Sequence, residues 1–232
     1  MEEKIKIIEQ VIAWAGLSKE EVISYWQQKS NKEILNTETS PIINADFPAD
    51  DIRSQTKLFW YAFEGKKFSP EPNAYPNCQG VVGWINPDPN APEGDKIYVV
   101  LPEQKSLQYS TDYEETGADD LYDGRGNTKK LIEYEKEHNV SFPAAEFAFN
   151  YCKNGVKKGE AFGPAREQLK RVCANRDYIR EALRWIGGTF EGWLWSSSEY
   201  DFSGAWYVGS ILGYVSYGNK DDAYSVSCFL AY

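Results

Sequence analysis

A helical middle between two strand-rich ends narrows the fold of this 232-residue chain more than any other feature. The runs at 58–63 (Leu-Phe-Trp-Tyr-Ala-Phe), 80–85 and 96–101 are rich in β-branched and aromatic residues. Turn clusters at 69–77 and 86–94 separate them. The period then changes. Asn127 or Thr128 can cap a helix over 129–136, and Pro143 opens a second one through Cys152. Pro164 starts a third, with Leu169, Val172 and Cys173 on one face. Asp177 caps a fourth carrying Ile179, Ala182, Leu183 and Ile186, which Gly187-Gly188 stops. From there to the end the chain reads as strand and turn. Strands that flank helices in this way imply an α+β domain whose first and last strands lie near each other.

The opening 45 residues read differently. Ile5, Ile8, Val11, Ile12 and Ala15 recur at helical spacing, and a capping box at Ser18–Glu21 precedes Val22, Ile23, Tyr25 and Trp26. The expectation is a short helical appendage over 1–45 and a main domain over 46–232. Such an appendage could pack on the main domain or carry a homo-oligomeric contact.

Charge limits the partners. A net charge of −10 disfavours nucleic acid, where neutralising phosphate dominates affinity, and equally an anionic membrane surface. The acids crowd into 93–123 and the bases into 153–184, a pattern expected of solvated faces. Residues 1–16 lack the apolar run and small-residue cleavage site of a signal peptide, and no apolar run has the length of a membrane span. The expectations are cytoplasmic synthesis and no membrane insertion. Cys78, Cys152, Cys173 and Cys228 lie far apart without a Cys-x-x-Cys, so they read as buried free thiols.

The last forty residues have the composition of a contact surface. Eleven are aromatic and eight are serine, and the only base is Lys220. Tyrosine gives large amphipathic contact at low rotamer cost, while serine and glycine adapt their hydrogen bonding. Such an end is suited to holding a ligand rather than transforming one.

Several motifs recur in an order that carries a family likeness. Asp123-Gly-Arg-Gly-Asn-Thr128 comes first, then Phe142-Pro-Ala-Ala145, 166–175 and 179–188. Trp195-Ser-Ser-Ser-Glu-Tyr200 follows, with Ala205-Trp-Tyr-Val208 and 226–231. Together they resemble the C-type-lectin-fold variable proteins of diversity-generating retroelements, bacterial and phage proteins whose C-terminal coding sequence is rewritten at adenines. The likeness covers about 57–232. It departs at Phe162-Gly163-Pro164, where a Trp-x-Leu-Pro-like run is usual, and at Ser227, where arginine is expected.

The resemblance implies a C-type-lectin-like domain with a variable region over about 195–232. Its ligand would be a protein or cell-surface molecule, met from a phage virion or a cell surface, with no cofactor and no metal. Trp195, Trp206, Val208 and Val226 would be core, Gly213 a hairpin turn, and Val215 an inward residue. Val226, Cys228 and Leu230 would line the buried face of the last strand. The exposed, ligand-binding residues would be Asp201, Phe202, Ser203, Tyr207, Gly209, Ser210, Leu212, Tyr214, Ser216, Tyr217, Asn219, Asp221, Asp222 and Tyr224, with Gly204 and Ala223 beside them. Tyr207, Tyr214, Tyr217 and Tyr224 would be the anchors. Replacing adenines in an Asn AAC codon reaches every one of these residues but cannot give Trp, Lys, Glu, Gln or Met. Between 199 and 224 those types occur only as Glu199, Trp206 and Lys220.

Catalytic readings have less behind them. His138 is the single histidine and sits in a polar helix end with no nucleophile near it. Glu71-Pro-Asn73 is similar to the sugar-and-calcium tripeptide of C-type lectins but precedes the helices and lacks a following Trp-Asn-Asp, so it reads as a turn. Asp119, Asp120 and Asp123 fail the spacing of a calcium loop, because Lys130 stands where the closing Glu belongs. Gly124-x-Gly126 follows no strand and is too short for a phosphate loop. Formylglycine-generating oxidases share the broad fold, yet Cys228 sits at a core position without a second cysteine nearby. The expectation is a binding protein, not an enzyme; the alternative is an assembly protein acting through its N-terminal helices.

Overall fold

A computed structural model describes residues 47–209 and 213–232. The expected appendage over 1–45 lies outside the described residues, as do Ser210 and Leu212.

The first strand, β1 (Tyr61–Phe63), is shorter than the apolar run predicts. Phe59 adopts φ +68, a left-handed turn that bends the chain just ahead of it. β1 pairs with β2 (Lys67–Ser69) on one side and β3 (Cys78–Ile85) on the other, both antiparallel. β4 (Ile97–Gln108) runs well past the expected end at Leu101. Pro102 cannot donate to a ladder, yet the strand passes it through a register shift between Val100 and Gln104.

Four helices follow. α1 (Gly124–Glu137) starts earlier than predicted, because Asp123 rather than Asn127 or Thr128 caps it, accepting the Gly126 amide at 2.8 Å. Asn127 and Thr128 are instead buried, and their side chains bond to the carbonyls of Asp120 and Gly124. Pro143 does open α2 (Pro143–Phe149), which stops three residues short of Cys152. α3 spans Arg166–Cys173 and α4 spans Arg176–Arg184, with Asn175 at the N-cap in place of Asp177. Gly187 at φ +75 ends the turn after α4.

The chain returns as β5 (Trp193–Glu199), β6 (Gly204–Gly209), β7 (Val215–Asn219) and β8 (Ala223–Ala231). Among the described residues all eight strands form one sheet in the order β2-β1-β3-β4-β8-β5-β6-β7. β8 pairs antiparallel with β4, so the terminal strand sits near the early strands as expected, with β3 and β4 between it and β1. This is a mixed α+β domain.

Both faces of the sheet are covered. Leu169, Val172, Cys173, Ile179 and Leu183 of α3 and α4 pack on Val81, Tyr98, Val100, Leu194, Val208 and Phe229. Ala148 and Tyr151 pack on Val82, Ile97, Val99, Cys228 and Leu230. Leu131, Phe142 and Ala145 close over Trp195, Ala205 and Val226. β8 is therefore buried on two faces: Phe229 is as inaccessible as Cys228, against the expectation of one buried row. Each such side chain withdrawn from water contributes about 1.5–3 kcal/mol. The cysteines are free, but only Cys173 and Cys228 are buried. Cys152 is exposed and Cys78 half-buried, since α2 ends before Cys152 and Cys78 opens a strand near the sheet edge.

Candidate binding face

The serines of Trp195-Ser-Ser-Ser-Glu-Tyr200 are stitches, not contact residues. Ser196 Oγ donates to the Trp206 carbonyl at 2.9 Å and Ser198 Oγ to the Asp120 carbonyl at 2.7 Å. Ser198 Oγ also accepts the Arg166 amide at 3.1 Å, and the Ser197 amide reaches Pro164. Trp195 is 2% exposed and its Nε1 donates to the Leu107 carbonyl. β5 is thereby tied to β4, β6, α3 and the acidic loop 109–123 between β4 and α1.

One end of this frame is locked by charge. Lys220 and Glu199 are both buried and pair at 2.7 Å. Lys220 Nζ also donates to the Glu114 carbonyl, and Glu199 Oε2 accepts the Thr116 amide at 3.0 Å. A buried ion pair of this kind holds together only because its remaining donors and acceptors are satisfied.

The hairpin of β6 and β7 projects from the frame as the outermost part of the sheet. Gly213 at φ +62 makes the turn, and its amide bonds back to Gly209. On one face Trp206 stands opposite Tyr217, and Val208 opposite Val215. Trp206 is half-buried rather than core: the Arg166 guanidinium lies 4.7 Å from its ring, and Tyr200 and Tyr217 stack beside it with centroids 4.0 Å apart. The other face carries Ala205, Tyr207 and Ser216. Here Tyr207 and Tyr224 meet edge-on at 4.8 Å, and Tyr224 lies 4.5 Å from Trp195.

The predicted binding residues thus divide. Asp201, Phe202, Tyr214, Tyr217, Asn219 and Asp221 are exposed, as is Ala223. Ser203, Ser216 and Asp222 are half-buried. Gly204 and Gly209 are buried, contrary to expectation, because neighbouring side chains close over the backbone: a Cβ on Gly204 would sit 3.2 Å from Asp201 Oδ1, and one on Gly209 would meet the Trp193 ring. Tyr207 and Tyr224 are likewise not free-standing anchors; they are half-buried against Trp195. Burial, with Asp222 beside it, raises the Tyr224 phenol above its usual range.

Three residues outside the predicted set join the face. Trp193 is 48% exposed and packs edge-on against Tyr207 and Tyr214, and Tyr200 is also exposed. Tyr113, from the acidic loop, donates its hydroxyl to Asp221 at 2.9 Å and meets the Phe202 ring edge-on. In the sequence Tyr113 was marked only by its place between the acids of Asp112-Tyr-Glu-Glu115. At this end partial burial pushes the Asp201 carboxyl up, but the amides of Ser203 and Gly204 outweigh it and hold the group below the usual carboxylate range.

The rival chemical residues have structural duties. Asp120 and Asp123 spend Oδ1 atoms on the backbone amides of Tyr122, Asp123 and Gly126. His138 is exposed at the end of α1, stacked on Tyr134. The Glu71 main-chain carbonyl accepts the Ala74 amide, closing a turn. Burial pushes the Cys228 thiol far up, which keeps it protonated rather than a nucleophilic thiolate. Among the described residues no three His, Cys, Asp or Glu side chains gather as a metal site, and no helix is long and apolar enough to cross a membrane.

No family model matches the sequence, and no curated protein matches it. A fimbrial protein from Bacteroides ovatus ATCC 8483 has a similar structure, with a TM-score of 0.57 at 14% identity. The alignment covers 76% of this chain and 49% of that one. The likeness is one of fold alone. This chain spans about half the length of its structural neighbour, and the shared part takes in most of the α+β domain.

Proposed function

We propose that the chain is a non-enzymatic ligand-binding protein. It would display a diversified surface on a C-type-lectin-like scaffold, as the resemblance to retroelement variable proteins implies. The ligand would be a protein or cell-surface molecule, held by Asp201, Phe202, Tyr214, Tyr217, Asn219 and Asp221, with Trp193, Tyr200 and Tyr113 alongside. The observation that carries the reading is the division of labour between 199 and 224. The three residues that adenine replacement cannot produce all belong to the frame: Glu199 and Lys220 form the buried pair, and Trp206 is clasped by Arg166, Tyr200 and Tyr217. Within that stretch the exposed residues are all of reachable types, and the exposed Trp193 lies ahead of it.

Binding energy in such a surface concentrates in a few aromatic anchors, each worth more than ~1 kcal/mol. A library that randomises Asp201, Phe202, Tyr214, Tyr217, Asn219 and Asp221 tests the reading. Selection against an arbitrary target protein should yield binders that melt within a few degrees of the parent chain. Widespread unfolding of library members, or no binders from a well-folded library, would defeat it.

A second reading, assembly into a surface structure, draws on the fimbrial neighbour's fold. Deleting 1–44 separates the two: an assembly protein loses self-association, whereas a binding protein retains its selected ligand.

A further inference from the structure

The two edges of the sheet are unlike. At one end β2 is only three residues long and opens with the exposed Lys67, the kind of charged, short edge that resists pairing with another chain. At the other, β7 is Val-Ser-Tyr-Gly-Asn, with no charge and no proline. Its backbone polarity follows from two bonds that bracket the hairpin: Lys220 N–H to the Ser203 carbonyl at 2.9 Å and Gly209 N–H to the Tyr214 carbonyl at 2.8 Å. Antiparallel pairs alternate between bonded and non-bonded, so Val208–Val215 and Trp206–Tyr217 are non-bonded pairs. The main-chain N–H and C=O groups of Val215 and Tyr217 therefore point away from β6, with no partner among the described residues.

The surroundings set the chemistry of what can pair there. Asp201 and Asp221 are exposed at the end of β7, and Asp222 is half-buried beside them. The one base after Arg184, Lys220, is buried and committed to Glu199 and the Glu114 carbonyl. Exposed rings of Tyr214 and Tyr217 add faces that attract cations. With carboxylates and ring faces in the open, Lys220 hidden, and the Arg166 beside Trp206 paired with Glu167 at 2.8 Å, this edge complements a cationic strand and repels an acidic one.

We infer that β7 is a docking edge that takes an extended, lysine- or arginine-bearing segment of a partner polypeptide by strand addition. The inference rests on the binding-face reading and specifies its ligand. Main-chain bonds supply affinity whatever the side chains are, which suits a surface whose side chains change. Alternate basic side chains then meet Asp201 and Asp221.

The test uses the full chain and a capped peptide of alternating lysine and valine. Two companions accompany it: a glutamate-for-lysine version, and a lysine version with alternate amides N-methylated. The lysine peptide should bind and slow exchange of the Val215 and Tyr217 amides, and each companion should bind at least about tenfold more weakly. Equal binding of the N-methylated peptide would overturn strand addition while leaving side-chain recognition by the face intact. Equal binding of the glutamate peptide would overturn the charge preference. Binding of no peptide, or protection of these amides in the free chain by another segment or a second copy, would overturn the inference. The library experiment fails or succeeds independently of all these results.

Discussion

Lys220 Nζ sits 2.7 Å from Glu199 Oε1 with both side chains withdrawn from water. This pair joins the end of β5 to the end of β7, and through Glu114 and Thr116 it also grips the acidic loop. The exposed residues Asp201, Phe202 and Asp221 all lie within three positions of one of its members. Under the proposed function, a diversified rim keeps a fixed geometry only if such a clamp holds its base.

Breaking the clamp from one side leaves an uncompensated buried charge. Lys220→Met should cost about 3–5 kcal/mol, measurable as a lower urea midpoint, and adding Glu199→Leu should restore part of the loss. A cost below ~1 kcal/mol for the single change would show that the pair is not the anchor of this end.

The four tyrosines expected as anchors should separate into two classes. Tyr214→Ala should change stability by about 0.5 kcal/mol or less, as exposed substitutions do, and Tyr217→Ala by up to about 1 kcal/mol, because its exposed ring also stacks on Tyr200. Tyr207→Ala and Tyr224→Ala remove rings packed on Trp195 and should cost about 1–3 kcal/mol. Thermal melts of the four variants check the split.

The Asp123-Gly-Arg-Gly motif should prove structural. A Cβ at Gly124 would lie 2.4 Å from the Ala165 amide nitrogen and 2.5 Å from the Gly163 carbonyl oxygen, both backbone atoms that cannot swing aside. Gly124→Ala should cost about 3 kcal/mol or more and disturb α1 and α3 together, read by denaturant unfolding and circular dichroism.

A pH dependence arises where α1 meets α2. Burial, and Glu146 beside it, push the Glu135 carboxyl up to about 7, while Ser141 donates to Glu146 at 2.7 Å. Because the folded value is raised, the folded chain holds a proton that the unfolded chain releases near pH ~4.3. That contribution is whole below the unfolded value and is lost as pH rises through the folded one. Glu135→Gln should therefore match the wild type near pH ~4 and exceed its stability near pH ~8; urea titrations at the two values decide it.

The order of elements was readable because it needs only the change of period from strand to helix and back. That order put the N- and C-terminal strands near each other, and the structure pairs β8 with β4 in one sheet. Burial along the last strands was harder to read, for a definite reason. Alternation assigns one row inward only when one face is wet, yet α3 and α4 cover one side of this sheet and α1 and α2 the other. Phe229 and Cys228 are therefore both inside, and Tyr207 turned toward Trp195 instead of solvent. Helix starts slipped where several capping residues competed, as at Asp123 against Asn127 and Thr128. Tyr113 was hidden because only the tertiary fold brings the acidic loop to Asp221 and Phe202.

The most direct measurement is the nucleotide sequence around the coding locus. The account predicts a reverse-transcriptase gene beside a near-copy of the 3′ coding region, differing from it only at adenines. Those differences should fall in codons for residues such as Asp201, Phe202, Tyr214, Tyr217, Asn219 and Asp221, and should spare Trp195, Glu199, Trp206 and Lys220. A locus with no such copy, or with differences concentrated in the codons of the buried frame, would contradict it.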